Sequence, residues 1–192
     1  QFQWLGTQGV LFVGAATLGT QAAGAIRASQ NLLGPTNVLF QAVENLVPVR
    51  CAVHYKTTGN SGLRSYLLKV AAFGGGPLVV IFAVIAFFGT ESLALAYGND
   101  YASFGYLVGF QCFYLMMSFF SRLLGYWRRT WKQTGAILIS SIVSALIANG
   151  LAAIAVESLS DRGIMWALIA GTVCSSLVLI AWPRKVREEG HA

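Results

Sequence analysis

Residues 71–89 and 136–156 contain no charged side chain. Each stretch is about 20 residues long, and at 1.5 Å rise per residue such a helix matches the hydrocarbon core of a bilayer. A soluble chain would have to hide both stretches behind its charges. Only 10% of the residues are charged, against roughly 25% in an average soluble domain. The expected fold is therefore all-α: a polytopic membrane bundle of about six transmembrane helices in one domain spanning 1–192.

Six apolar segments can be placed. The first covers about 4–18. The second, 22–53, is interrupted by Gly34-Pro35 and by Pro48. The third spans 66–88, with Gly74-Gly75-Gly76-Pro77 inside it. The fourth, fifth and sixth cover 101–124, 135–156 and 164–182. Their connections are short, so no extramembrane domain is expected. The chain begins with Gln and has neither a charged n-region nor an Ala-x-Ala cleavage site, so a signal peptide is not expected. It reads as a stretch that starts inside a longer protein.

The basic residues alternate along the chain. Arg50, Lys56, Arg64 and Lys69 fall between the second and third segments. Arg122, Arg128, Arg129 and Lys132 fall between the fourth and fifth, and Arg184, Lys185 and Arg187 in the tail 184–192. The alternate connections carry only Arg162, and Arg27 is left within a segment. The positive-inside rule makes the basic side cytoplasmic. Both ends then face the cytoplasm, with a bacterial inner membrane as the natural setting. This asymmetry accounts for the net charge of +6 without a nucleic-acid partner. Tyr97, Tyr101, Tyr126, Trp127, Trp131, Trp166 and Trp182 fall near the segment ends, as an interfacial aromatic belt requires.

Catalytic and metal signatures are missing. The histidines, His54 and His191, fall at expected cytoplasmic edges, and neither His-Glu-x-x-His nor Gly-x-Ser-x-Gly occurs. Asp100 and Asp161 fall in exterior loops beside no evident partner. Cys51, Cys112 and Cys174 are too scattered for a disulfide framework or a metal site, and Cys112 and Cys174 read as small packing residues. No enzyme activity, cofactor or metal is expected.

The second segment carries the most information. From Arg27 its polar or helix-breaking residues follow at Gln30, Gly34, Asn37, Gln41, Glu44 and Pro48, in steps of three and four. A helix places these on one face, flanked by Asn31 and Asn45. An intramembrane arginine costs about 2.5–3.5 kcal/mol at a helix centre, so Arg27 and Glu44 are expected to line an interior. One reading makes the stripe interhelical glue. The other makes it the wall of a watery cavity, with amides suited to sugar hydroxyls and Arg27 suited to phosphate. Pro35 removes a backbone donor and should kink the helix. Gly34 and Pro35 then form either a hinge, as in the broken helices of transporters, or a static bend. Gly74–Pro77 is a second hinge or a close-packing site. Ser140, Ser141, Ser144 and Asn149 read as packing residues.

The run 25–45, Ala-Ile-Arg-Ala-Ser-Gln-Asn-Leu-Leu-Gly-Pro-Thr-Asn-Val-Leu-Phe-Gln-Ala-Val-Glu-Asn, resembles the C-terminal half of polysaccharide flippases. These belong to the multidrug/oligosaccharidyl-lipid/polysaccharide exporter superfamily. Pro48-Val49-Arg50, Leu63-Arg64-Ser65-Tyr66-Leu67 and Tyr97-Gly98-Asn99-Asp100-Tyr101 are similar as well. The resemblance implies one six-helix lobe of a two-lobed, V-shaped transporter, with the N-terminal lobe supplied by the rest of the same protein. It implies a polyprenyl-pyrophosphate-linked oligosaccharide as substrate, carried by alternating access driven by an ion gradient. Arg27 would then attract pyrophosphate or an acidic sugar. Gln30, Asn31, Asn37, Gln41 and Asn45 would line the sugar path, and Glu44 would pair with a basic residue or exchange a proton. The alternatives are a multidrug-type exporter of the same superfamily and a non-transporting membrane scaffold.

Overall fold

The computed structural model describes residues 2–183, and the expected cytoplasmic tail 184–192 lies outside them. The described residues are almost entirely helical, with no strand among them. Six helices follow in order: α1 (Phe2–Leu32), α2 (Thr36–Val70), α3 (Gly76–Phe87), α4 (Gly89–Tyr97), α5 (Tyr106–Thr130) and α6 (Thr134–Ala181). A π-helical turn, Ala71–Gly75, joins α2 to α3, and a 3₁₀ turn, Asn99–Phe104, leads into α5.

Three of these helices change direction at a single residue. Gly19 (φ 82°), Gly59 (φ 68°) and Ser160 (φ 52°) interrupt α1, α2 and α6. At Gly59 the chain doubles back, so that the His54 ring stacks on Tyr66 at 4.7 Å. Twelve residues of uninterrupted helix would hold those rings about 18 Å apart. The same reversal at Ser160 brings Gly163 against Ala155 and Gly171 against Ser144 and Ala148. Glycine suits the backbone at Gly59 because φ > 0 costs it nothing.

Four helical stretches are long and apolar enough to cross a membrane: Thr36–Phe87, Tyr106–Thr130, Thr134–Val156 and Ser158–Ala181. Large apolar side chains point outward along them, among them Phe73 (81% exposed) and Ile154 (74% exposed). In water such a surface would aggregate. Against lipid tails it is at rest, and the protein is membrane-embedded.

The core forms around α5, which packs against α1, α2, α3, α4 and α6. One apolar cluster joins Phe40, Val47, Cys51, Leu63, Phe82, Phe119 and Leu123. The other joins Val10, Ile26, Leu107, Ala152, Ile164 and Met165. Small residues let helices close in, as helix association in membranes requires. A Cβ on Gly75 would come within 3.2 Å of Phe119, and one on Gly9 would overlap the Asn149 amide. The triple-glycine run is therefore both a π turn and a contact surface, and Asn149 is a packing residue. Cys112 is buried as expected, while Cys174 is half-buried.

Several boundaries differ from the sequence reading. The fourth segment begins later and runs to Thr130, so Arg122, Arg128 and Arg129 lie inside a helix and not in a connection. The apolar pattern is hard to follow there because buried Phe119, Leu123 and Tyr126 alternate with a buried arginine, Arg128. Residues 90–97, expected as bare connection, form most of α4, which buries Leu93 and exposes Leu95. Asp161 is not partnerless: it is 8% exposed and accepts a hydrogen bond from the Tyr106 hydroxyl, while the Arg162 guanidinium lies 4.8 Å from the Tyr106 ring centroid.

Candidate functional site: a polar face on the kinked helix

The rod that runs through α1 after Gly19 and into α2 as far as Gly59 has three distinct faces. Ser29, Leu33, Thr36, Phe40, Val47 and Cys51 form a buried seam, in steps of three, four and seven with half-buried Val43 inside the longest step. Much of that seam joins the cluster shared with α5. Val38, Leu39, Leu46, Val49 and Val53 form a second, outward face; each is more than half exposed. The polar stripe lies between these two faces. Gly34, Asn37, Gln41 and Pro48 each follow a seam residue by one position, a rotation of about 100°.

Arg27, Asn31, Asn37, Gln41, Glu44 and Asn45 are exposed, while Gln30, Gly34 and Pro48 are half-buried. The expectation that Arg27 and Glu44 line an interior is thus not met within this chain. Its own interior takes the small and apolar seam, because packing on α5 selects shape there. The stripe faces outward, with Asn37 and Gln41 turned away from Leu39 and Leu46, and with Asn31 and Asn45 bordering Val38.

The kink is present and tight. Successive 3₁₀-type bonds run from Gly34 N to Asn31 O, Thr36 N to Leu33 O and Asn37 N to Gly34 O, at 2.9–3.0 Å. Thr36 Oγ1 donates to Leu33 O at 2.6 Å. Pro35 has no N–H to offer the Asn31 carbonyl, and Gly34 N takes its place. The backbone groups freed by the proline are therefore largely re-satisfied within one turn.

Two arrangements organise the stripe. Near its start the Arg27 guanidinium donates to Gln30 Oε1 at 3.3 Å. Near its end Glu44 forms an ion pair with Arg122 of α5, and the Arg122 guanidinium lies 5.4 Å from the Phe40 ring centroid. Glu44 stands beside the seam, which is why it can reach across to α5. Nε of Arg122 has no hydrogen-bond partner among the described residues. Neither does Nε2 of Gln30. Of the two roles considered for Glu44, the geometry realises the ion pair.

Arg122 is the residue that sequence reasoning missed. In the linear chain it stands just before Arg128 and Arg129 and reads as part of a basic loop. The available signal was Glu44 itself, an intramembrane carboxylate in need of a cation. The site therefore brings two guanidinium groups, one carboxylate and five amide side chains to the kinked rod and the turn of α5 beside it, with Gln30 half-buried and Arg122 reached through Glu44. Such a surface can bind phosphate through guanidinium and hydroxyls through amides. Comparisons with protein-family models, curated proteins and solved structures return no match.

Proposed function

We propose that this chain is one lobe of a membrane transporter, a flippase for polyprenyl-pyrophosphate-linked oligosaccharide in polysaccharide biosynthesis. The observation that carries the reading is the three-faced rod. A face bearing Arg27, Asn37 and Gln41 is exposed on this chain and turned away from Leu39, Leu46 and Val53, with Asn31 and Asn45 at its border beside Val38. Polar side chains at membrane depth are stable only against protein or water. A second helical body opposite the stripe would enclose a watery cavity with this face as one wall.

On this reading the chain crosses the membrane six times, reversing at Gly19, Gly59, the α4 region, the α5–α6 turn and Ser160. Both ends face the cytoplasm of a bacterial cell, on the side marked by Arg50, Lys56, Arg64, Arg129 and Lys132. Arg27 attracts the pyrophosphate or an acidic sugar. Gln30, Asn31, Asn37, Gln41 and Asn45 exchange hydrogen bonds with sugar hydroxyls as the head group passes. The bend at Gly34 and Pro35 lets the two halves of the rod tilt against each other. Glu44 holds Arg122 until a substrate anion competes for the guanidinium. The amide-rich composition argues against a drug exporter, whose apolar cargo would leave those amides unpaired.

The test is export of surface polysaccharide in cells that depend on the protein. Arg27→Ala is expected to abolish or strongly reduce export at unchanged membrane abundance. Normal export at normal abundance would remove Arg27 from the mechanism. A scaffold is distinguished by thiol labelling in a background lacking the native cysteines. Cysteines at Asn37 and Gln41 should react with a membrane-impermeant reagent, whereas one at Leu39 should not. Silence at all three positions would favour helix glue.

A further inference from the structure

The second arm of α2 and the end of α5 leave a groove of about 320 Å³ between them. Leu67, Leu68 and Ala71 line one wall, and Phe120, Leu123 and Leu124 the other. Gly75 meets Phe119 beyond one end, so the antiparallel arms place Arg64 and Trp127 together at the opposite end. The two ends are about 10 Å apart, at seven residues of 1.5 Å each. Inside, nearly every surface is hydrocarbon, and at the mouth stands a single guanidinium. Arg64 is exposed, and no hydrogen bond or ion pair engages it among the described residues.

Charge narrows the choice of occupant. Residues 50–70 carry Arg50, Lys56, Arg64 and Lys69 and no carboxylate. The positive-inside rule assigns this hairpin to the cytoplasmic leaflet, whose surface is negative and whose anionic head groups collect in basic pockets between helices. A ligand suited to this groove has a flexible hydrocarbon chain and an anionic phosphate joined end to end. We infer that the groove seats one acyl chain of an anionic phospholipid, with the phosphate on the Arg64 guanidinium and Trp127 beside the glycerol region. This site is separate from the polar stripe and rests on membrane embedding and on the cytoplasmic placement of the hairpin, not on the transport of a substrate.

The experiment is native mass spectrometry of the purified protein, titrated with phosphatidylglycerol and with phosphatidylcholine of identical chains. One phosphatidylglycerol should be retained, with at least fivefold preference over phosphatidylcholine. Arg64→Gln should erase the preference while leaving weak binding of both lipids. Leu68→Trp, at a side chain that is 59% exposed, should block the groove and lower retention of both. Lys56→Gln, on the same hairpin but outside the groove, should change nothing. Elution as a single species in detergent checks that each variant folds. Equal losses in Lys56→Gln and Arg64→Gln would reduce the effect to diffuse surface charge and overturn the site. Retention unaffected by Leu68→Trp would overturn it as well. Stoichiometric displacement of phosphatidylglycerol by an equimolar polyprenyl phosphate would reassign the groove to an isoprenoid tail and overturn the phospholipid assignment. Normal export in Arg27→Ala, which would sink the transport role of Arg27, would leave all of these outcomes unchanged, so the two readings fail separately.

Discussion

Arg122 and Arg128 stand six positions apart on α5, and their surroundings have little in common. Arg128 is 1% exposed. Its Nε donates to Leu179 O at 2.7 Å, Nη1 to Gln133 Oε1 at 2.8 Å, and Nη2 to Ile180 O and Trp182 O at 3.1 and 3.0 Å. Trp127 and Trp131 hold their rings 5.4 and 5.7 Å from the same guanidinium. This cation closes the C-terminus of α6, where the last carbonyls lack intrahelical partners and the helix dipole is negative. Arg122 has one carboxylate, one aromatic ring and an Nε with no hydrogen-bond partner among the described residues. Its side chain is 27% exposed, and that of Glu44 is 44% exposed. A cation bound on every side holds a structure together. A cation held on one side, at an exposed polar face, is positioned to exchange its partner.

The contrast predicts effects on stability that differ in size, and the largest belongs to Arg128. Arg128→Ala strands three main-chain carbonyls at the end of α6 and opens a hole beneath two tryptophans. Losing a buried charged hydrogen-bonding centre of this kind costs about 3–5 kcal/mol. The expected outcome is a sharp fall in the denaturation midpoint in detergent, with poor recovery from membranes. Arg128→Lys should rescue only in part, because an ammonium cannot reproduce a planar fork of five donors. Full stability in Arg128→Ala would break the comparison at its stronger end.

The next effect is smaller in stability and larger in function. Glu44→Gln and Arg122→Gln, alone and together, form a double-mutant cycle. A half-exposed ion pair contributes roughly 0–1 kcal/mol, so the coupling energy should fall in that range. Export of polysaccharide should nevertheless fall in Arg122→Gln if the guanidinium receives the substrate anion. A coupling of several kcal/mol, with export intact, would make the pair a structural strut like Arg128.

Sequence made the two arginines look alike, and the reason is physical. Both belong to a stretch that follows an apolar run and holds four cations between Arg122 and Lys132, which is also how a cytoplasmic loop reads. What separates them is contact with residues far along the chain: Leu179 and Trp182 for one, Glu44 and Phe40 for the other. The membrane class and the polar stripe were legible, because charge depletion and helical spacing are local properties. The direction of the stripe was not. In water an amphipathic helix has two environments, so its polar face is assigned by default. Here the rod carries a buried seam, an exposed apolar face and a polar stripe, and only packing on α5 fixes which points where. The partner of Asp161 was hidden for the same reason, since Tyr106 lies 55 residues away.

Arg27 defines the weakest end of the comparison for stability. It is exposed, and its one side-chain bond joins Gln30, three residues along the same helix. Exposed substitutions of this kind usually fall within about 0.5 kcal/mol. The denaturation midpoint of Arg27→Ala should therefore match that of the parent protein in detergent. If the arm that carries Arg27 crosses the membrane, as the six-span reading requires, inserting this residue costs about 2.5–3.5 kcal/mol at a helix centre. On the transport reading, that cost is offset by an anion bound from outside this chain, which is why the stability and export of Arg27→Ala should part company. If Arg27→Ala proves as damaging to stability as Arg128→Ala, then the stripe is bound to a neighbouring body that survives purification. The exposed face would then be an interface, and the cavity would lie elsewhere.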